Sequence, residues 1–274
     1  MRISVIITSY NYGRFIGETL KAIQAQTHQD WEAIVVDDGS TDNSLSVIRE
    51  FSDRDPRIHL YQHEGGVNKG IAATNLLALS KCSTDIVAFC ESDDVLLPTS
   101  FERRLKLMEK YPEVVCCFSP VLMTDADLNP GCTYGKLDVE KEVPFDAMSI
   151  ACLSLIVTTF SCAMVRTEAL RRCNFDTPYD SCLDLWLFRQ LAAMGPFCYI
   201  DEVLTLFRKH GNGATESRLS RRTFWHGVMR QNDKVIQSIN PRWSWLRYWY
   251  LTKLRLKLIR RDGILARLRR LRMK

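Results

Sequence analysis

Ile86-Val87-Ala88-Phe89-Cys90-Glu91-Ser92-Asp93-Asp94 is a short apolar run that ends in three carboxylates within four residues. The run reads as a buried strand, because it is apolar on both alternating faces and bounded by polar residues. In a doubly wound α/β sheet, ligands collect outside the carboxyl ends of the strands. Carboxylates gathered at such an edge repel one another unless a cation sits among them. A hard divalent ion such as Mg2+ or Mn2+, held also by substrate phosphates, fills that role. The plainer reading is an acidic turn that favours the start of the helix expected after Pro98.

Toward the N-terminus the same kind of run recurs. Ile3–Ile7 stops at Thr8-Ser9-Tyr10-Asn11, and Glu32–Val36 stops at Asp37-Asp38-Gly39-Ser40. Ile58–Tyr61 is a third run. Between them, Ile16, Leu20 and Ile23, then Leu45, Ile48 and Phe51, then Ile71, Leu76, Leu77 and Leu79, recur at helical spacing. Alternating strands and helices predict a mostly parallel sheet wrapped by right-handed crossovers. Beyond Pro98 the spacing predicts a helix to about Tyr111, a strand at Val114–Phe118, a loop or β-ribbon over 124–144, and an apolar β-rich run at Ile156–Val165. A helix over Leu183–Met194 then stops at Gly195-Pro196.

With 46% apolar and 25% charged residues over 274 positions, the chain has ample material for a core. Its net charge of +5 conceals an asymmetry. Residues 242–274 carry 12 Lys/Arg against one acid, and the remainder carries 25 basic and 31 acidic residues. The ten cysteines include no C-x-x-C pair, a pattern that suits reduced thiols better than a disulfide framework or a zinc site. Ile3–Ile7 is too short for a signal-peptide core, and no apolar stretch reaches the length of a membrane span. A cytoplasmic location is expected.

The ends of the first two strands bring Thr8, Tyr10, Asp37 and Asp38 to one edge. An aromatic ring there can stack on a base, and a carboxylate can accept hydrogen bonds from base or ribose. Turn formation by Asp37-Asp38-Gly39-Ser40 explains the same residues without a ligand. A dinucleotide site would require G-x-G-x-x-G after the first strand, which Ser9–Phe15 does not supply. A phosphate-cradling P-loop is absent, and a phospho-receiver domain would place its acid pair after the first strand.

Ser4–Asn11, Gln26-Thr27, Val35–Asp42, Asn68-x-Gly70 with Ala72-Ala73-x-Asn75, and Glu91–Asp94 together resemble the blocks of a family 2 glycosyltransferase. The resemblance is dense over the first 100 residues or so and sparser to about 215. It implies a GT-A fold, with residues 1–120 as the nucleotide-sugar half, 121–215 as the acceptor half and 216–274 as a helical basic extension. It also implies an inverting sugar transfer from a nucleotide-sugar, with a UDP-sugar as first expectation, to a glycan or lipid-linked hydroxyl; the lack of a membrane span and of a Gln-x-x-Arg-Trp block argues for single-sugar addition. Thr8, Tyr10 and Asp38 match residues that hold the base. Asp93 and Asp94 match the acidic motif, one toward the ribose and one toward a Mn2+ or Mg2+ ion. Glu91 stands where the family more often has Asp, so the division of labour among the three acids stays open. Phe207-Arg208-Lys209-His210-Gly211 resembles a later block, implying that His210 contacts the diphosphate or metal and that Arg208 offsets phosphate charge.

The family's general base lies near the start of a helix in the second half. Aligning this chain on Asp184-Leu185-Trp186-Leu187 places Cys182 at that position, whereas aligning on the helix end places Asp184 there. Asp184 is preferred because a thiol is a poor base for a sugar hydroxyl, with Asp180 in reserve; helix N-capping is the plainer role for Asp184. In 242–274, Leu246, Tyr250, Leu254 and Leu258 recur at near-helical spacing among cations, which suits an anionic membrane surface. Peripheral attachment to the inner face of the membrane is therefore expected. The reading from a different class is a non-catalytic protein of the same fold that binds nucleotide or nucleic acid, although nucleic acid is the less favoured partner of the tail.

Overall fold

Strand β1 (Ile3–Ser9) lies between β2 (Trp31–Asp37) and β4 (Ile86–Phe89), parallel to both, in a computed structural model that describes residues 1–147, 157–176 and 183–211. Strand β3 (Ile58–Gln62) adds on the far side of β2, also parallel. Every residue of β2 and β4 is buried, as a parallel sheet covered on both faces requires. Ile3, Val5 and Ile7 are each 0% exposed, so each contributes about 1.5–3 kcal/mol of burial. Helices α1 (Ile16–Gln24), α2 (Ser44–Arg54) and α3 (Gly70–Lys81) make the crossovers. α1 packs on α2, and α3 packs on β1 and β2.

After β4 the chain turns through the three acids into β5 (Val95–Leu96) and then α4 (Ser100–Lys110). The second half supplies β6 (Cys116–Phe118), β7 (Val121–Thr124), β8 (Pro130–Tyr134), β9 (Pro144–Phe145) and β10 (Ala163–Arg166). Helices α5 (Thr167–Arg171) and α6 (Leu183–Met194) and strands β11 (Phe197–Tyr199) and β12 (Thr205–Arg208) complete it. The main sheet has the order β3-β2-β1-β4-β10-β6-β11-β9, with β10 antiparallel to β4 and to β6. The expected mixed α/β architecture is present.

A second sheet, β5-β12-β7-β8, was not foreseen as a separate layer. Its strands are two to five residues long, and β8 is exposed throughout, so they carry almost no alternation signal. The ribbon expected over 124–144 is in part the β7–β8 antiparallel pair. This small sheet matters for the site, because Leu206 of β12 pairs with Val95, one residue past the acidic turn.

The chain divides at Val228/Met229 into two units, and all described residues belong to the first. The basic segment 242–274, Asp180 and Cys182 lie outside the described residues. Among the described residues no helix is long and apolar enough to cross a membrane.

Candidate nucleotide-sugar site

The site is built where the strands of the first half end. The β1–β4 register sets Ile6 opposite Phe89, which carries Thr8 to the level of Glu91. The Thr8 hydroxyl donates to the Glu91 carboxylate. Burial pushes the Glu91 carboxyl well above its ordinary range, and the charges of Asp93, Asp94 and Asp184 push it further. Four acids from two distant segments therefore share one electrostatic neighbourhood. Tyr10, just past β1, is 45% exposed and free to stack on a planar ligand.

Asp37 and Asp38 point into the protein. Asp37 accepts the Ser40 amide at 2.9 Å and the Ser40 hydroxyl at 2.5 Å, closing the turn after β2. Asp38 accepts the amides of Lys69 at 2.7 Å and Gly70 at 2.9 Å, so its carboxylate holds the start of α3. His63 Nε2 lies 3.5 Å from Asp38 and 3.1 Å from Thr74 Oγ1. Asn11, at a φ of 59°, accepts the Thr41 amide at 2.8 Å and joins the first two strand-end loops.

The three acids of the turn have separate surroundings. Asp94 is 0% exposed; it accepts the Ser161 hydroxyl at 2.5 Å and the Arg208 amide at 3.0 Å. Burial, and then the Asp93 charge, raise its carboxyl well above the ordinary range, while these two donors pull it back. Asp93 instead faces His210, whose Nε2 is 3.0 Å from Asp93 Oδ2. The imidazole packs on Phe15 at 4.8 Å and edge-on to Tyr12 at 5.5 Å between centroids. Glu91 is half-buried beside Thr8.

Arg208 is committed to the protein. Its amide bonds Asp94, Nε donates to the Asp93 carbonyl at 2.8 Å, Nη1 to the Ala126 carbonyl at 2.5 Å and Nη2 to Glu18 at 2.5 Å. Its guanidinium also lies 4.7 Å from the Phe15 ring centroid. A direct bond from its guanidinium to phosphate would require breaking these contacts.

Asp184 sits in the first turn of α6 and accepts the Leu185 amide at 2.7 Å. Burial raises its carboxyl to about 6, with backbone hydrogen bonds and Arg189 opposing. A carboxylate near 6 is well matched to accept a proton at neutral pH. Trp186 and Gln190 anchor this helix through the Asn174 carbonyl, at 2.6 and 2.9 Å.

Among the described residues no three His, Cys, Asp or Glu side chains are placed to hold a metal, so Asp93, Asp94, Glu91 and His210 do not form a four-residue cage. Asp93 and His210 form a carboxylate–imidazole pair that fits a divalent ion whose remaining positions come from phosphate and water. Sequence reading missed Ser161, Thr19, Glu18 and the Tyr12–Phe15 ring pair. Ser161 had one available signal, a hydroxyl inside an otherwise apolar run.

Residues 4–173 match the model of Glycosyl transferase family 2. The chain is 36% identical over 117 residues to a Bacillus subtilis protein described as a putative teichuronic acid biosynthesis glycosyltransferase, covering 43% of this chain and 44% of that one. Among solved structures, Staphylococcus aureus TarS 1-349 in complex with UDP-GlcNAc superposes with a TM-score of 0.71 at 20% identity, covering 88% of this chain and 68% of that one. The mannosyltransferase PcManGT of Pyrobaculum calidifontis, in complex with GDP-Man and Mn2+, gives 0.66 at 21% identity, with 88% and 66% covered. Across eight of the curated relatives it matches, the chain spans 15% to 68% of their length.

Proposed function

Because the chain belongs to glycosyl transferase family 2, we propose that it transfers a single sugar, with inversion, from a nucleotide-sugar to a hydroxyl of a glycan or lipid-linked glycan. The observation that carries this reading is the convergence of Thr8, Glu91 and Asp93 at the strand ends, within electrostatic reach of Asp184 from the first turn of α6, with His210 set 3.0 Å from Asp93. The UDP-GlcNAc and GDP-Man held by the solved relatives support a nucleotide-sugar donor.

Roles follow from the surroundings of each side chain. Tyr10 stacks on the base, beside the loop that Asp38 and Thr8 support. Asp93 and His210 would hold a Mn2+ or Mg2+ ion, which would supply positive charge to neutralise the departing nucleoside diphosphate. Asp94 does not take that ligand role in our reading, because both its oxygens are engaged inside the protein. Glu91 is left as the acid nearest the ribose. Asp184 removes the proton of the acceptor hydroxyl, which attacks the anomeric carbon from the face opposite the diphosphate. The basic segment 242–274 holds the enzyme on the cytoplasmic face of an anionic membrane, where lipid-linked acceptors lie.

A screen of UDP- and GDP-sugars for metal-dependent donor hydrolysis tests the reading. Release of nucleoside diphosphate that requires Mn2+ or Mg2+ and is lost in Asp93→Ala supports it. Full hydrolysis in that variant, or none with any donor, would remove it.

A further inference from the structure

We propose that Ser161 is a positioning residue for the metal-binding turn, held by a buried hydrogen-bond chain that starts at Arg104. The inference rests on the nucleotide-sugar reading above and assigns a task to a residue outside the acidic motif. Ser161 lies in the 3-10 turn Phe160–Cys162 and is 0% exposed. Its hydroxyl accepts the Glu91 amide at 2.9 Å and donates to Asp94 Oδ2 at 2.5 Å. One oxygen atom thus ties the first and last residues of the turn together. From the other side, the Thr19 hydroxyl reaches the carbonyls of Ser92 at 3.1 Å and Asp94 at 2.8 Å.

Ser161 is itself held. Its carbonyl accepts the Thr205 hydroxyl at 3.0 Å, and Thr205 Oγ1 accepts from Arg104 Nη2 at 3.1 Å. The same Nη2 donates to Ser119 Oγ at 3.0 Å, and the Ser119 hydroxyl donates to the Pro120 carbonyl at 3.3 Å. Ser100 Oγ accepts from Nη1. Arg104 is 0% exposed, and these bonds all end on hydroxyls. A hydroxyl has one proton to give. The Thr205 proton goes to the Ser161 carbonyl and the Ser161 hydroxyl proton goes to Asp94, so Ser161 is gripped at its backbone from the Arg104 side and grips the turn with its side chain. Holding Ser161 at both its carbonyl and its hydroxyl resists displacement of its side chain from the turn. The consequence is selective: Asp94 is pinned inward, which leaves Asp93 to face His210.

The test is calorimetric titration of the full chain with UDP and, in parallel, GDP, each with and without Mn2+. Ser161→Ala orphans the Glu91 amide and one oxygen of Asp94. It should weaken Mn2+-dependent nucleotide binding by about tenfold, the scale of one hydrogen bond to a charged group, and leave metal-free binding unchanged. Thr205→Val keeps the side-chain shape and cuts the chain one link earlier, so it should shift the Mn2+ dependence in the same direction by less. Thr205→Val decides alone if Ser161→Ala fails to fold, as read by circular dichroism. Unchanged Mn2+ dependence in the folded variants overturns the proposal, as does equal weakening with and without Mn2+, which would mark a general packing role. Wild-type binding that ignores Mn2+ overturns it as well. If the wild-type chain binds neither nucleotide, the nucleotide-sugar reading itself fails and takes this inference with it.

Discussion

Replacing Arg208 with lysine keeps the charge and removes the fork, so it separates a charge-compensating role from a structural one. The side chain is 2% exposed and spans the Asp93 carbonyl, the Ala126 carbonyl and Glu18, over the face of Phe15. One ammonium on a flexible stem can satisfy one of the two carbonyls. Loss of the other charge-assisted bond costs about 2 kcal/mol. The Glu18 bridge adds only about 0.5 kcal/mol, because that carboxylate is 53% exposed and screened. The lost ring contact adds about 0.5–1 kcal/mol. The sum is about 3 kcal/mol, which lowers Tm by about 6–12 °C in a chain of this size. Thermal melts of Arg208→Lys against wild type at pH 7.5, followed by circular dichroism, measure it. A role in offsetting phosphate charge predicts the opposite pattern, with normal stability and only weaker donor binding. A Tm within about 2 °C of wild type would refute the structural reasoning.

Asp184→Asn should abolish sugar transfer and leave nucleotide binding intact, as read by product formation and by calorimetry; normal transfer would place the base elsewhere. Its folded-state carboxyl is raised from 3.8 to about 6, so the native state holds its proton longer than the unfolded chain, and this residue's contribution to stability falls as pH rises between those values. The Asn variant should therefore be no less stable than wild type at pH 7.5, and wild-type transfer should lose rate as pH drops through about 6. Asp93→Asn and His210→Asn should each weaken Mn2+-dependent nucleotide binding with little change in metal-free binding, measured by calorimetry. Gly39→Ala should cost about 2–3 kcal/mol in melts, because φ is +77° and a Cβ would sit 2.7 Å from the Asn68 nitrogen and 2.8 Å from the Gly66 carbonyl.

Strands β1, β2 and β4 were legible because they are buried on both faces and read as largely apolar runs with polar stops. The small second sheet was not, since two-residue strands such as Val95–Leu96 have no periodicity to detect. The location of the acidic turn was legible for the same reason as its strand. How its acids divide their work was not, because that depends on partners distant in sequence: Ser161 and Arg208 for Asp94, His210 for Asp93. Gln26 shows how a motif residue can mislead about chemistry. Its amide nitrogen donates to the Leu97 carbonyl at 2.9 Å, and its oxygen accepts the Phe101 amide at 3.1 Å. It clasps the chain just past the turn to the end of α1 and touches none of the acids by these bonds.

That clasp belongs to a wider arrangement with an electrostatic reason. Burial raises the cost of ionising Glu91 and Asp94; the charges of Asp93, Asp94 and Asp184 add to it at Glu91, and that of Asp93 adds to it at Asp94. A turn carrying such repulsion would swing its carboxylates into solvent if its backbone were free. Here the backbone is fixed from three elements: Thr19 of α1, Ser161 beside β10 and Arg208 of β12. Holding the acids together against their own repulsion keeps a deficit of positive charge in place, which the divalent ion of our proposal would relieve. If the chain binds a divalent ion as we propose, the energy that the fold spends on immobilising Glu91–Asp94 would be recovered in affinity for that ion and the diphosphate it accompanies. On this account the residues that matter most to metal affinity, after Asp93 and His210, are neutral hydroxyls that never touch the ion.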